Sequence, residues 1–341
     1  MNKQGVREPT EQAGLVTADE WFEGGRRLAY ASVQRRIGDV SDGGSPVVNV
    51  FERTTLPLGP PVTDEATWLT LLPGFPDGSY GWAQVDRLLD PWLAPRLYVE
   101  PVGQGDSDTP SRYAYSTFER ADLVQALWRY HGVRRTVLVT FDYGSLVALE
   151  LLRRQLEESE AVGPRSEPIT AVFLINGGLF ADAHSHPWQG TPLLRTPIGA
   201  LGTRQWERSA GSFAAAMRRA RMFSPGYRPS PAQLAELRSA IIRRGGAVFA
   251  HRAAGFVAEH RRHAERWDLA ALVRELDDAV VIHLAGSIED PYEHRQIDAA
   301  RRRMPAADIR LFPGGHLTTS EHPDLLAAAI TTIARAHGVQ P

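Results

Sequence analysis

Cysteine is absent from all 341 residues, which excludes disulfides, thiolate metal sites and cysteine nucleophiles. An excess of charge of one sign is absent too. A net charge of −2 leaves no basic stripe for nucleic acid or an anionic membrane. No apolar run is long enough to span a bilayer, and the opening "MNKQGVREPTEQAGLV" lacks the continuous apolar stretch of a secretory signal. Internal repeats and low-complexity tracts are missing as well. These absences lead us to expect a cytoplasmic protein with no nucleic-acid or membrane partner; a small-molecule substrate, no cofactor and a monomer or homodimer are expected besides. What is present is an ordinary globular composition, 43% hydrophobic and 23% charged, enough for one large core or two unequal domains.

Residues 1–15 are polar and read as a flexible N-terminus. Beyond them, apolar runs such as "TWLTLL", "RTVLVTF", "ITAVFLI" and "AVVIHLAG" read as strands. Between them lie segments of helical spacing, for example "STFERADLVQALWRYHG", with Phe118, Leu123 and Leu127 on one stripe and a stop at Gly132. Strands apolar throughout and separated by helices argue for a parallel sheet covered on both faces. The pattern breaks between Phe180 and Asp268, where the chain is helix-like, rich in loops and aromatic, and then returns. The chain therefore reads as α/β, with a core of residues 16–179 and 269–341 interrupted by a helical cap of residues 180–268.

The run "VLVTFDYGSLVALELL" passes from strand to helix through a sharp turn with an aspartate at its tip. Such a turn needs small residues two positions either side, and Thr140 and Gly144 stand there. The geometry lifts Asp142 out at the carboxyl end of the sheet. It also aims the Tyr143 N–H and a helix N-terminus at the same spot, where an anion is stabilised. Asp142 could be a nucleophile that opens an activated C–X bond and forms an ester; it could also simply cap the following helix. Three further segments favour chemistry. "LLPGFPDGSYGW" puts the Phe75 N–H where it can complete an oxyanion hole with that of Tyr143, with Pro76 following a cis bond. "VVIHLAGSIEDPY" sets Glu289 and Asp290 just past a strand, and "LFPGGHLTTS" sets His316 in a Gly-rich loop. Nucleophile, acid and histidine follow one another in the order used by α/β-hydrolases. His184 and His186 could suggest a metal pair, but no acidic cluster adjoins them in sequence. They read as cap or loop residues, and no metal site is expected.

Taken together, these segments resemble the α/β-hydrolase superfamily and, within it, the epoxide-hydrolase-like branch with an aspartate nucleophile. "PGFPDGSYGW" is similar to that branch's HGFP segment, "VGQGDSD" to its G-x-G-x-S-D loop, and "FDYGS" to its H-D-(W/Y)-G-G elbow. A narrower resemblance is to the subgroup of mesoderm-specific transcript proteins and their bacterial relatives, through "DYG", "VALELL", "NGGLF" and "RPSPAQLAEL". It covers nearly the whole chain from Trp21 onward.

The resemblance implies an α/β-hydrolase fold: a mostly parallel eight-stranded sheet with helices on both faces and a helical cap inserted after strand six. It implies Asp142 as nucleophile and His316 as the base that activates water against the ester. The orienting acid would be Glu289, which fits the spacing from Gly286, or Asp290, which fits the family's Asp-Pro pair and is preferred. Pro76, Trp188 and Tyr227 are candidate substrate contacts, Tyr227 being the one tyrosine of the insertion. Trp82, Trp188, Trp206 and Asn176 are available as halide donors. Two departures stand out: Pro73 and Phe141 occupy positions where the family has histidines, which makes the site drier. The implied activity is hydrolysis through an aspartyl ester of a small apolar or aromatic substrate, an epoxide before a haloalkane. Two alternatives remain. The same pocket could carry lyase, cyclase or isomerase chemistry through its Asp–His pair, or the chain could be a catalytically silent ligand-binding homologue.

Overall fold

The computed structural model describes residues 14–32, 47–56, 62–93, 95–111, 113–162 and 168–339. Of the expected flexible N-terminus, residues 1–13 lie outside that set.

One sheet contains all eight strands: β1 (Arg26–Ala31), β2 (Val47–Thr55), β3 (Thr67–Leu72), β4 (Arg96–Val99), β5 (Arg135–Phe141), β6 (Ile169–Ile175), β7 (Val281–Ser287) and β8 (Asp308–Phe312). Their order is β1-β2-β4-β3-β5-β6-β7-β8. The pairs β1–β2 and β2–β4 are antiparallel and every other pair is parallel. The fold is therefore the α/β-hydrolase architecture expected from the motifs.

Every residue of β3 and β4 is buried, because helices cover both faces of the sheet. Side chains alternate across β5 with the two-residue strand period. Val137, Val139 and Phe141 enter one core, with Phe22 of α1 (Ala18–Glu23), Val85 of α2 (Ala83–Leu88) and Leu326, Ile330 and Ile333 from the C-terminal helix Pro323–Ala336. Leu138 enters the other, with Leu123 and Leu127 of α3 (Thr117–His131) and Leu146 and Leu149 of α4 (Gly144–Val162). Helix α3 begins where the Ser116 side chain accepts from the Glu119 N–H and ends at Gly132 in the left-handed region, φ 66°.

Between β6 and β7 the chain builds the cap. Its helices include α5 (Thr191–Leu194), α6 (Pro197–Arg208), α7 (Ala210–Ala220), α8 (Pro231–Ile242), α9 (Gly246–Ala253) and α10 (Phe256–Arg262). The chain then rejoins the core through α11 (Leu269–Leu276). Just before α11, Trp267 is buried and donates from Nε1 to Glu150 of α4 at 2.8 Å.

Candidate active site

β5 ends at Phe141, and Asp142 turns the chain with φ 48° before α4 starts at Gly144. The turn is held on three sides. The Asp142 N–H donates to the Ile175 carbonyl at 3.0 Å, the Asp142 carbonyl accepts from the Ser145 N–H at 3.0 Å, and the Thr140 and Ser145 hydroxyls meet at 3.0 Å. Glycine is required at 144: a Cβ there would lie 2.8 Å from the Leu72 carbonyl oxygen and 2.9 Å from that of Pro73.

The two oxygens of Asp142 face different partners. Oδ1 accepts from the Phe75 N–H at 3.0 Å, and Oδ2 lies 3.5 Å from His316 Nε2. Phe75 precedes the cis peptide to Pro76. Among the described residues it supplies the backbone amide that reaches Asp142, whereas the Tyr143 N–H, expected as the second donor, makes no hydrogen bond to that carboxylate. Instead the Tyr143 ring stacks on Phe256 with centroids 4.6 Å apart, under the Arg120 guanidinium. Arg120 in turn donates to Gln104, whose amide donates to the Gly74 carbonyl and so braces the turn that carries Phe75.

On the far side of His316, Nδ1 is 3.1 Å from both oxygens of Asp290. Asp290 is buried and also accepts the Tyr292 N–H at 2.8 Å. Glu289, the other acid considered, is exposed, and its backbone N–H bonds the Gly314 carbonyl. β7 has ended at Ser287, and the chain bends so that Asp290 is buried while Glu289 stays exposed. Burial alone would lower the His316 pKa, but the charges of Asp290 and Asp142 outweigh it and hold the imidazole well above its ordinary value. Behind the oxyanion turn, burial and then the Asp142 charge raise the Asp77 carboxyl to about 7.

Asp142 and His316 line a cavity of about 310 Å³ between sheet and cap, together with Phe75, Pro76, Trp206 and Tyr292. Two of the expected substrate contacts lie elsewhere. Trp188 is 63% exposed and absent from the cavity wall. Tyr227 stacks on Phe223, accepts from Gln233 and faces a separate surface pocket. Its position in the loop before α8 directs it outward, away from Asp142. Asn176 is not a cavity donor either. Its amide bonds the Ser287 hydroxyl at 2.8 Å and the His316 carbonyl at 2.9 Å, while its Oδ1 accepts the Ser287 N–H. Trp82 packs edge-on against Phe141, outside the cavity.

Sequence reasoning passed over Tyr292, although it stands two residues after Asp290. Its ring lies 4.8 Å from that of His316, and its hydroxyl donates to the Ala220 carbonyl of the cap at 2.6 Å. It also missed Glu293. The fold brings this buried acid to His184 (3.1 Å) and His186 (3.0 Å), more than a hundred positions earlier, so the two histidines do have an acidic neighbour. Of the described residues, these three form the group with the donor atoms and spacing to hold a metal ion.

A profile of the Alpha/beta hydrolase family matches residues 71–329. The mesoderm-specific transcript homolog protein of Homo sapiens is 30% identical over 206 residues, 58% of this chain and 58% of its own length. The chain thus spans less than two thirds of that relative. The protein LipZ of Mycobacterium tuberculosis is 29% identical over 320 residues, 92% of this chain and 96% of its own. Solved structures share the fold. An esterase from Thermogutta terrifontis aligns with TM-score 0.64 at 18% identity, covering 92% of this chain and 99% of its own. A haloalkane dehalogenase from Bradyrhizobium elkani aligns with TM-score 0.61 at 16% identity, covering 92% and 98%. No helix among the described residues is long and apolar enough to cross a membrane.

Proposed function

We propose, from the premise that the chain belongs to the alpha/beta hydrolase family, that it is a hydrolase working through an ester on Asp142. The observation that carries this reading is the division of labour within one carboxylate. Oδ1 is held by the Phe75 amide while Oδ2 lies 3.5 Å from His316, and both residues line the cavity. A carboxylate that merely capped a helix would direct its oxygens at the N–H groups of the first turn.

The proposed substrate is a small apolar or aromatic epoxide bound between core and cap. Oδ2 attacks a ring carbon, the C–O bond breaks, and the alkoxide takes a proton from Tyr292 Oη, which turns from the Ala220 carbonyl it binds in the free protein. This is the one tyrosine among the described cavity-lining residues. Alkylation removes the Asp142 charge, one of two that hold the proton on His316, so that proton passes to the Tyr292 phenolate and leaves the imidazole free to act as a base. It then takes a proton from water as the hydroxide attacks Cγ, and the negative charge developing on Oδ1 stays on the Phe75 N–H. Collapse of the tetrahedral species releases the diol and restores the carboxylate, and the proton taken from water stays on His316, as at the start. Asp290 keeps Nδ1–H oriented throughout. A small-molecule substrate remains the proposed partner, with no cofactor in any of these steps.

The test is intact-protein mass after mixing with terminal epoxides and 1-haloalkanes. Asp142→Asn is expected to give neither turnover nor adduct, and His316→Gln to accumulate a stoichiometric adduct on Asp142. Normal turnover by Asp142→Asn would overturn the mechanism.

A further inference from the structure

The mechanism leaves one buried polar cluster unused, where the chain leaving β6 for the cap meets the loop after Asp290. His184, His186 and Glu293 have side chains 1%, 5% and 2% exposed. His184 Nδ1 and His186 Nε2 converge on the same oxygen, Glu293 Oε1, at 3.1 and 3.0 Å, and all three donor atoms lie within 4.8 Å of one another. Glu293 Oε2 is buried with no partner, and no arginine or lysine pairs with this acid among the described residues.

We propose that His184 Nδ1, His186 Nε2 and the Glu293 carboxylate form a binding site for a first-row divalent cation of the Zn²⁺ class. Two imidazoles and a carboxylate are a donor set that such ions take, with a further position open. The two nitrogen–oxygen separations, 3.1 and 3.0 Å, approach the roughly 3.3 Å edge of a tetrahedron built on Zn–N bonds of about 2.05 Å. An ion between the three donors would also engage Oε2, which otherwise has nothing to bind.

The ring tautomers fit the same assignment. Ligation through His184 Nδ1 needs the proton on Nε2, and His260 Nδ1 stands 2.9 Å away to accept it. Ligation through His186 Nε2 needs the proton on Nδ1, and the Thr191 hydroxyl stands 2.8 Å away. Outer partners of this kind orient metal-binding histidines. The consequence is structural: Glu293 follows Asp290 and Tyr292 by a few residues, so an ion here would pin the cap's entry segment to the loop that presents the acid. The assignment stands whatever reaction Asp142 performs.

Calorimetric titration of metal-free full-length protein with Zn²⁺ at pH 7.5 tests it. One site per chain is expected, and loading with Co²⁺ should give the visible absorption of a low-coordinate ion. His186→Asn and Glu293→Gln should each weaken Zn²⁺ binding at least tenfold with near-UV dichroism unchanged. His337→Gln breaks the separate surface cluster of His283, His337 and Asp308 and should leave binding as it was. Absence of stoichiometric binding, or binding lost in His337→Gln but kept in the other two variants, would overturn the proposal. Should either variant fail to fold, histidine resonances of the wild type decide. Zn²⁺ must shift those of His184 and His186, and shifts confined to His283 and His337 refute the site.

Discussion

Asp142 is held at φ 48°, a conformation that costs a non-glycine residue roughly 1–2 kcal/mol. The surrounding bonds from Ile175 and Ser145 impose it, and the result is a buried carboxylate against a buried imidazole. That contact should be visible in titration. His316 is expected to keep its proton well above pH 6.5, and Asp142→Asn, which removes one of the two charges holding it, to lower its midpoint. Histidine resonances measured across pH check this; equal midpoints in the two proteins would show that Asp142 and His316 are not coupled. The sign for stability follows. A histidine raised on folding stabilises most below its unfolded pKa, and that contribution is lost as pH rises through the higher folded value.

Asp77 provides a second case. It is 3% exposed, and its carboxyl is raised to about 7 by burial and by the Asp142 charge. Folding therefore favours the neutral acid, and the stability this contributes fades between about pH 4 and about pH 7. Asp77→Asn should match the wild type near pH 4 and exceed it at pH 8, by roughly 1–3 kcal/mol. Urea unfolding at both pH values measures the gap, and a gap that does not grow with pH would place the charge elsewhere.

At the scale of the element, what was legible in the sequence is what neighbours fix locally. "TFDYGS" announces its turn because Gly144 has the Leu72 and Pro73 carbonyls against it. Gly144→Ala should cost roughly 1–3 kcal/mol and shift the elbow, read as a lowered unfolding midpoint together with weaker ester formation. A variant as stable and active as the parent would mean the crowding there is not felt. Residues whose partners lie a hundred positions away were not legible. Spacing cannot separate Glu289 from Asp290, since the choice depends on how the chain bends after β7. Tyr227, Trp188 and Asn176 carry the right chemistry, but the cap loops and the β6–β7 junction use them elsewhere. Asn176 holds the His316 carbonyl, so Asn176→Ala, which strands Ser287 and His316, should cost on the order of 3 kcal/mol. Turnover should fall with KM nearly unchanged. A change in KM alone would return Asn176 to the substrate.

For the whole molecule, cap and sheet are tied at the histidine. Glu321 accepts the Ser224 N–H at 2.8 Å, the Ser224 hydroxyl at 2.6 Å and the Gly315 N–H at 3.1 Å. The Leu317 N–H donates to the Met222 carbonyl at 3.0 Å. One carboxylate thus joins the segment after α7 to the loop that carries the base, while the Tyr292 hydroxyl joins the acid loop to the end of α7. Any cap movement that admits substrate at this corner must therefore disturb His316, which under the proposed mechanism couples access to the step in which water attacks the ester. Glu321→Ala removes the oxygen that both the Ser224 and Gly315 N–H groups share and the one that takes the Ser224 hydroxyl. Amide exchange should rise at residues 222–224 and 314–318 together, and ester formation should outpace ester hydrolysis so that adduct builds up. Exchange rising in one segment alone would show that cap and base are independent, and the coupling would then have to be sought at Tyr292.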